Sequence, residues 1–187
     1  MVDYLPERID GPRLLLRPPA LDDAGPLFQR VARDPQVTKH LLWTPHPDVA
    51  TTRLVITQRL NVGDDERTWV IALRHSDDVI GLASCRRTVR HSVEIGYCLG
   101  RRWWGKGLMS EALDMLVAAL DADHEVYRIW ATCDVDNERS ARLLLRAGFV
   151  LEGRLTRHAV YPNLGPEPRD SLLYARRCAE LDHGERR

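Results

Sequence analysis

Between Leu99 and Leu108 the apolar pattern of the chain changes from a period of two to the period of a helix. The junction reads Arg101-Arg102-Trp103-Trp104-Gly105-Lys106-Gly107. A strand that passes through a glycine-bearing turn into a long helix restricts the fold to layered mixtures of sheet and helix. Val93 to Leu99 is the strand, and Leu108, Ala112, Met115, Leu116, Ala119 and Leu120 form one apolar stripe of the helix. Glycines at such a corner let backbone amides converge, and the first helical turn offers unpaired N–H groups at the positive end of its dipole. A diphosphate suits that corner, and Arg102 and Lys106 set mobile positive charge around it. The same letters also describe a solvated basic turn whose glycines serve only tightness. Ser110 stands where a dinucleotide fingerprint needs its third glycine, and no G-x-x-x-x-G-K-[ST] string occurs. Nicotinamide dinucleotides and nucleoside triphosphates lose ground as ligands.

The other segments extend the alternation. Arg13 to Arg17 is a short strand stopped by Pro18 and Pro19, after which Asp22 or Asp23 caps a helix carrying Ala24, Leu27, Phe28 and Val31. Pro47 and Asp48 open a second helix over 49–61. Thr68 to Arg74 and Val79 to Arg87 flank a Ser-Asp-Asp turn and predict an antiparallel hairpin, with Val93 to Leu99 next. Beyond the long helix come a strand, Val126 to Cys133, a helix, Asn137 to Ala147, a turn at Gly148 and further strands. The order β-α-α-β-β-β-α-β-α-β-β predicts an α/β mixed sheet with helices on its faces. No repeat or linker interrupts it, so one domain is expected over 1–187, folded over 11–178 with a charged tail at 179–187.

Charge and cysteine usage narrow the partners. The 27 basic and 27 acidic residues cancel and the arginines are scattered, which argues against nucleic acid and against an anionic membrane surface; any anion site must be local. No run approaches the roughly 20 apolar residues of a membrane span, and Met1 to Asp10 lacks a signal-peptide core, so a cytoplasmic protein is expected. Cys85, Cys98, Cys133 and Cys178 have no CxxC spacing and the histidines no HxxxH spacing, so reduced thiols and no metal are expected.

Four motifs in chain order carry a resemblance. Arg102-x-x-Gly105-x-Gly107 matches the Q/R-x-x-G-x-G/A signature of the GNAT N-acetyltransferase superfamily, preceded by Glu94-Ile-Gly-Tyr-Cys-Leu as by that fold's central strand. Asn137-Glu-Arg-Ser140, Gly148-Phe149 and Glu152-Gly153 resemble the N-x-x-S…G-F…E-G segment of the RimJ/RimL-type branch, the ribosomal-protein and small-amine acetyltransferases. Leu14-Leu-Leu-Arg17-Pro18 is similar to that branch's first strand, and Arg169-Asp170 with Tyr174 to its last. The resemblance spans about residues 11–178. It implies a GNAT fold, a mixed and mostly antiparallel sheet whose fourth and fifth strands splay, with the pantetheine arm of acetyl-CoA in the gap. By the same resemblance the cosubstrate lies along Tyr97, Cys98 and Leu99, over the loop Arg102, Trp103, Trp104, Gly105, Lys106 and Gly107, and against Asn137 and Ser140. Dimerisation is common among similar proteins, so a homodimer is carried over as an expectation.

Acetyl transfer to an amine needs a base for the ammonium, donors for the oxyanion and an acid for the thiolate. The resemblance implies oxyanion donors in the backbone N–H groups near Tyr97 and Cys98. The helix tyrosine with which much of the superfamily protonates the thiolate is replaced by Leu144, and the branch's serine, here Ser140, takes that place. Ser140 also reads as a first-turn residue serving helix backbone, and Asn137 as an N-cap that, by resemblance, contacts the coenzyme arm. The base is Glu94 at the start of the splayed strand, His158 with its imidazole range, or relayed water; where some relatives have a glutamate this chain has Ala159. Cys98 and Cys133 lack a sequence-local histidine, which favours direct transfer in a ternary complex over an acetyl-enzyme. Glu111 matches a family position but needs only a dipole role. Trp43 lies in the segment that forms the acceptor wall in similar proteins, and loops 35–48, 86–92 and 161–168 set specificity. The expected acceptor is a protein α-amine or a small-molecule amine. An aminoglycoside or polyamine acetyltransferase and a non-catalytic acyl-CoA sensor are the alternatives.

Overall fold

The computed structural model describes residues 5–62 and 65–178, and the charged tail expected at 179–187 lies outside them. Strands β1 (Ile9–Asp10), β2 (Leu14–Arg17), β3 (Glu66–Leu73), β4 (Val79–Val89) and β5 (Ser92–Leu99) neighbour one another in chain order, each antiparallel to the last. β6 (Arg128–Asp134) joins β5 in parallel, and β8 (Pro168–Arg177) lies between β6 and the outer strand β7 (Val150–Val160). The parallel pair requires a long crossover. The helix expected after the glycine turn supplies it.

Five α-helices accompany the sheet among the described residues: α1 (Ala24–Leu27), α2 (Pro35–Thr38), α3 (Val49–Gln58), α4 (Leu108–Asp121) and α5 (Glu138–Arg146). The first expected helix is irregular, a 3-10 turn at Leu21–Asp23 followed by α1 and a π-helical turn at Phe28–Ala32. α2 escaped the periodicity reading because it is a single turn, held by Pro35 at its first position and by Asp34, whose carboxylate accepts from Gln36 N at 2.9 Å. α3 is capped by Asp48, which accepts from Thr51 N at 2.7 Å, and it stops before 61. Asn61 has turned to φ +57, and its side chain binds both the N–H and the C=O of Thr68 on β3.

Alternation along the strands divides two cores. Leu14, Leu16, Trp69, Ile71, Val93, Ile95 and Ile129 face α4 and α5, meeting Leu113, Leu116 and Leu144. Val70, Ala72 and Val79 face the other way, against Leu27, Val31 and Ile56 of the segment around α1 and α3. The expected mixed sheet with helices on both faces is what forms. Both faces of β3 are covered, so its apolar run is continuous.

The sheet opens in one place. Pairing between β5 and β6 ends with Glu94 opposite Trp130, so Ile95–Leu99 keep only β4 and Ala131–Asp134 keep only β8. The implied splay is present, one strand later in the count because the short β1 precedes the first expected strand, and it leaves two strand edges facing a wedge-shaped gap.

Candidate active site

At the glycine corner, Gly105 and Gly107 both have φ +72. A Cβ on Gly105 would meet nothing within 4 Å, and one on Gly107 would lie 3.6 Å from Arg13 Nη2, so backbone conformation and not space demands glycine here. The first backbone bond of α4 runs from Glu111 N to Gly107 O at 3.1 Å, and among the described residues no acceptor meets the N–H groups of 105–110. Arg13 reaches under the turn, donating from Nη1 to Lys106 O at 3.1 Å and from Nη2 to Gly107 O at 3.3 Å. A trans peptide points its N–H opposite its C=O. Holding those two carbonyls therefore turns the N–H groups of Gly107 and Leu108 away from Arg13, toward the open side of the corner.

Glu111 fixes Arg13 in turn. Its carboxylate accepts from Arg13 Nε at 2.6 Å and from Arg13 N at 2.7 Å. It thus does more than the dipole role expected of it: it braces the loop against β2. Glu111→Gln is expected to lower stability by about 1 kcal/mol, a charged hydrogen bond discounted for the exposure of Arg13. Thermal melting checks the loss; an unchanged melt would mean that the loop holds its shape without the brace.

The two tryptophans pack the loop. Trp104 Nε1 donates to Leu99 O at 2.6 Å, with the Arg139 guanidinium 4.5 Å from its ring, and Trp103 lies between Arg30 and Arg102 at 5.7 and 5.8 Å. Arg102 and Lys106 are exposed beside the corner.

On the α4/α5 side of the gap, Tyr97 Oη lies 2.8 Å from Ser140 Oγ. Asn137 caps α5 by accepting from Ser140 N at 3.2 Å, which places the serine at the gap. Burial pushes the Tyr97 phenol well above its ordinary value, against the pull of the Ser140 bond, so it keeps its proton. Cys133 completes the cluster: burial pushes its thiol up to about 11, opposed by a hydrogen bond with Ser140. Burial likewise pushes Cys98 up to about 12. Thiolates are scarce at either position, a physical reason against an acetyl-cysteine. Leu144 is wholly buried. That position of α5 is core, and a phenol, that of Tyr97, reaches Ser140 from β5.

The opposite side of the gap carries a charged cluster. Asp134, the residue after Cys133, leaves the other face of β6 and is fully buried. It accepts from Arg169 Nε at 2.7 Å and Nη2 at 3.3 Å, and from Asp136 N at 3.1 Å. Burial pulls its carboxyl upward, but Arg169, the Asp136 N–H and nearby positive charge hold it below the usual carboxylate range. His40 Nδ1 approaches the same carboxylate at 3.2 Å, without the alignment of a hydrogen bond. The segment bearing His40 is tied to the β7–β8 turn, because Asn163 Nδ2 donates to Thr38 O at 2.7 Å and to Trp43 O at 2.8 Å. Tyr161 Oη and Ser171 Oγ, 2.8 Å apart, close the floor nearby.

Residues 13–150 match the acetyltransferase (GNAT) domain family. The chain is a GNAT N-acetyltransferase. It is 35% identical over 147 residues to the uncharacterized N-acetyltransferase p20 of Bacillus licheniformis, covering 76% of this chain and 82% of that protein. It is 39% identical over 79 residues to the [ribosomal protein uS5]-alanine N-acetyltransferase of Escherichia coli, a match spanning 41% of each. Among solved structures it superposes on RimL, a ribosomal alpha-N-protein acetyltransferase in complex with coenzyme A, with TM-score 0.76 over 91% of this chain and 98% of that one, at 24% identity. That last likeness speaks for the fold.

In this GNAT chain Tyr97, Asn137 and Ser140 come together, and Leu99 joins the loop through Trp104. Glu94 and His158 do not join them. Glu94 sits at the closed end of the gap on the other face of β5, ion-paired with its cross-strand neighbour Arg86. His158 is exposed in a bulge of β7, beside Arg157 at φ +47. The sequence reading missed the Tyr97 hydroxyl, although alternation from Val93 and Ile95 assigns it to the α5 face. It also missed His40, Asp134 and Asn163, which no local spacing connects.

Proposed function

We propose that this N-acetyltransferase takes acetyl from acetyl-CoA and places it on a primary amine, foremost the α-amine of a protein N-terminus, by direct attack in a ternary complex. The observation that carries the reading is the Tyr97–Ser140 hydroxyl pair, 2.8 Å apart, at the open part of the strand gap. The diphosphate is received by the amides of 105–110, with Arg102 and Lys106 balancing its charge. The pantetheine arm runs along the free edge of Tyr97, Cys98 and Leu99, beside Asn137, with Trp103 and Trp104 shaping the loop above it. Backbone N–H groups near Tyr97 and Cys98 receive the oxyanion. Ser140 gives its proton to the departing thiolate, and Tyr97 stands behind it as a second un-ionised hydroxyl.

The relative that acts on a ribosomal-protein alanine supports a peptide α-amine as acceptor. The test is release of free thiol from acetyl-CoA with Ala- and Ser-starting tetrapeptide amides, an aminoglycoside and a polyamine. The peptides are expected to exceed the small amines by about tenfold or more in kcat/KM, the discrimination that acceptor contacts readily supply. A preference for the aminoglycoside or polyamine moves the acceptor class. Coenzyme binding with no thiol release from any amine makes the chain a sensor.

A further inference from the structure

Resting on the acyl-transfer reading above, we propose that His40 is the group that takes the proton from the acceptor amine, with Asp134 and Asn163 as its positioning residues. Three observations converge on this residue. First, the strand gap has two sides with different chemistry. Cys133 and Tyr97 project to the α5 side, where Ser140 waits for the leaving sulfur. Asp134, the next residue, projects to the other side and meets His40 there. An amine attacking a planar thioester held in the gap comes in over one face of the carbonyl, and the side away from the sulfur's proton donor is the side of His40.

Second, the backbone that carries the imidazole is held in place. Asn163 grips the carbonyls of Thr38 and Trp43, which bracket His40, and so fixes the backbone on both sides of it. Third, Asp134 is fully buried and engaged by Arg169, so it is a fixed anion that sets the ring's polarity and not a mobile base itself. The anion 3.2 Å from Nδ1 favours the tautomer protonated there, which leaves the lone pair on Nε2. The charged groups facing the ring are Asp134 from β6, Arg169 from β8 and Lys39 beside it. Burial outweighs the pull of Asp134 and holds the imidazole below its ordinary value, so it is neutral and able to accept at neutral pH.

The step balances without any added reagent. The ammonium gives one proton to Nε2; nitrogen attacks the thioester carbon and the C–N bond forms. As the intermediate collapses the C–S bond breaks and the nitrogen loses its second proton. Ser140 gives its proton to the thiolate, the nitrogen's second proton restores the Ser140 hydroxyl through solvent, and the first passes from His40 to solvent.

The experiment compares His40→Gln with wild type on acetyl-CoA and Ala- and Ser-starting tetrapeptide amides, across pH. The variant is expected to lose about a hundredfold in kcat/KM at neutral pH, with coenzyme A affinity unchanged by calorimetry. The deficit should shrink as pH rises through the acceptor's own α-amine pKa of about 8, where free amine no longer needs a base. In wild type, the acid limb should fall below the ordinary imidazole range and coincide with the His40 ring titration followed by NMR; that comparison stands even if the variant does not fold. Equal rates and pH profiles for both proteins, or a ring titration that misses the acid limb, overturn the assignment alone. A wild type inactive on both peptides overturns the acyl-transfer reading and this assignment with it.

Discussion

Gly107→Val will remove most of the protein's affinity for coenzyme A, by about a hundredfold or more in calorimetric titration, while the sheet stays folded. Gly107 has φ +72 with the Arg13 guanidinium below it. A β-branched residue resists that conformation by about 1–3 kcal/mol. The peptide relieves the strain by rotating, which withdraws the Gly107 carbonyl from Arg13 and swings the following N–H groups off the open side of the corner. On the function proposed above, those amides receive the diphosphate. Gly105→Ala is the graded comparison: it shares φ +72 but meets no atom within 4 Å, so strain acts alone and the loss should be closer to tenfold. Wild-type affinity in Gly107→Val would mean that the coenzyme's phosphates are held elsewhere.

This corner was legible in the sequence because its determinants are local. Period change, paired glycines and helix start all fall within Leu99 to Leu108, and backbone conformation there follows from residue type. The β3–β4 hairpin and the strand β5 after it were legible for the same reason, since strands joined by short turns pair with their neighbours. The exchange of β7 and β8 was not: β8 runs antiparallel to both β6 and β7, and nothing in their composition says which one meets β6. Short elements escaped too. α2 and β1 hold four and two residues, below the length at which a period can be read.

The chemistry divides along the same line. Asn137 and Ser140 belong to one helix start, and a cap-to-first-turn spacing is visible in letters. The partners of Ser140 arrive from β5 and β6; His40 meets Asp134 of β6, and its neighbours Thr38 and Trp43 meet Asn163 of the β7–β8 turn. Only three-dimensional closure of the sheet brings them together. Glu94 and His158 were attractive as side-chain types, but a residue type does not carry its surroundings. Glu94 faces Arg86 across the strand pair, and the bulge in β7 leaves His158 in solvent.

Ser140→Ala is expected to slow acetyl transfer by about a hundredfold in kcat with little change in coenzyme A affinity, the scale of one lost proton donor. Tyr97→Phe should cost about tenfold, since its hydroxyl touches the site through Ser140. The informative measurement is the double variant. If the phenol serves by orienting and recharging the serine hydroxyl, removing both groups does no more harm than removing Ser140 alone, and the double-mutant cycle shows coupling as large as the Tyr97 effect. Losses that simply multiply would give the two hydroxyls separate tasks. The leaving group supplies the second axis: a thioester of a more acidic thiol needs less help to depart, so the Ser140→Ala deficit should shrink with it. A deficit indifferent to the leaving thiol would mean that Ser140 acts on α5 and on positioning, and that the thiolate draws its proton from water.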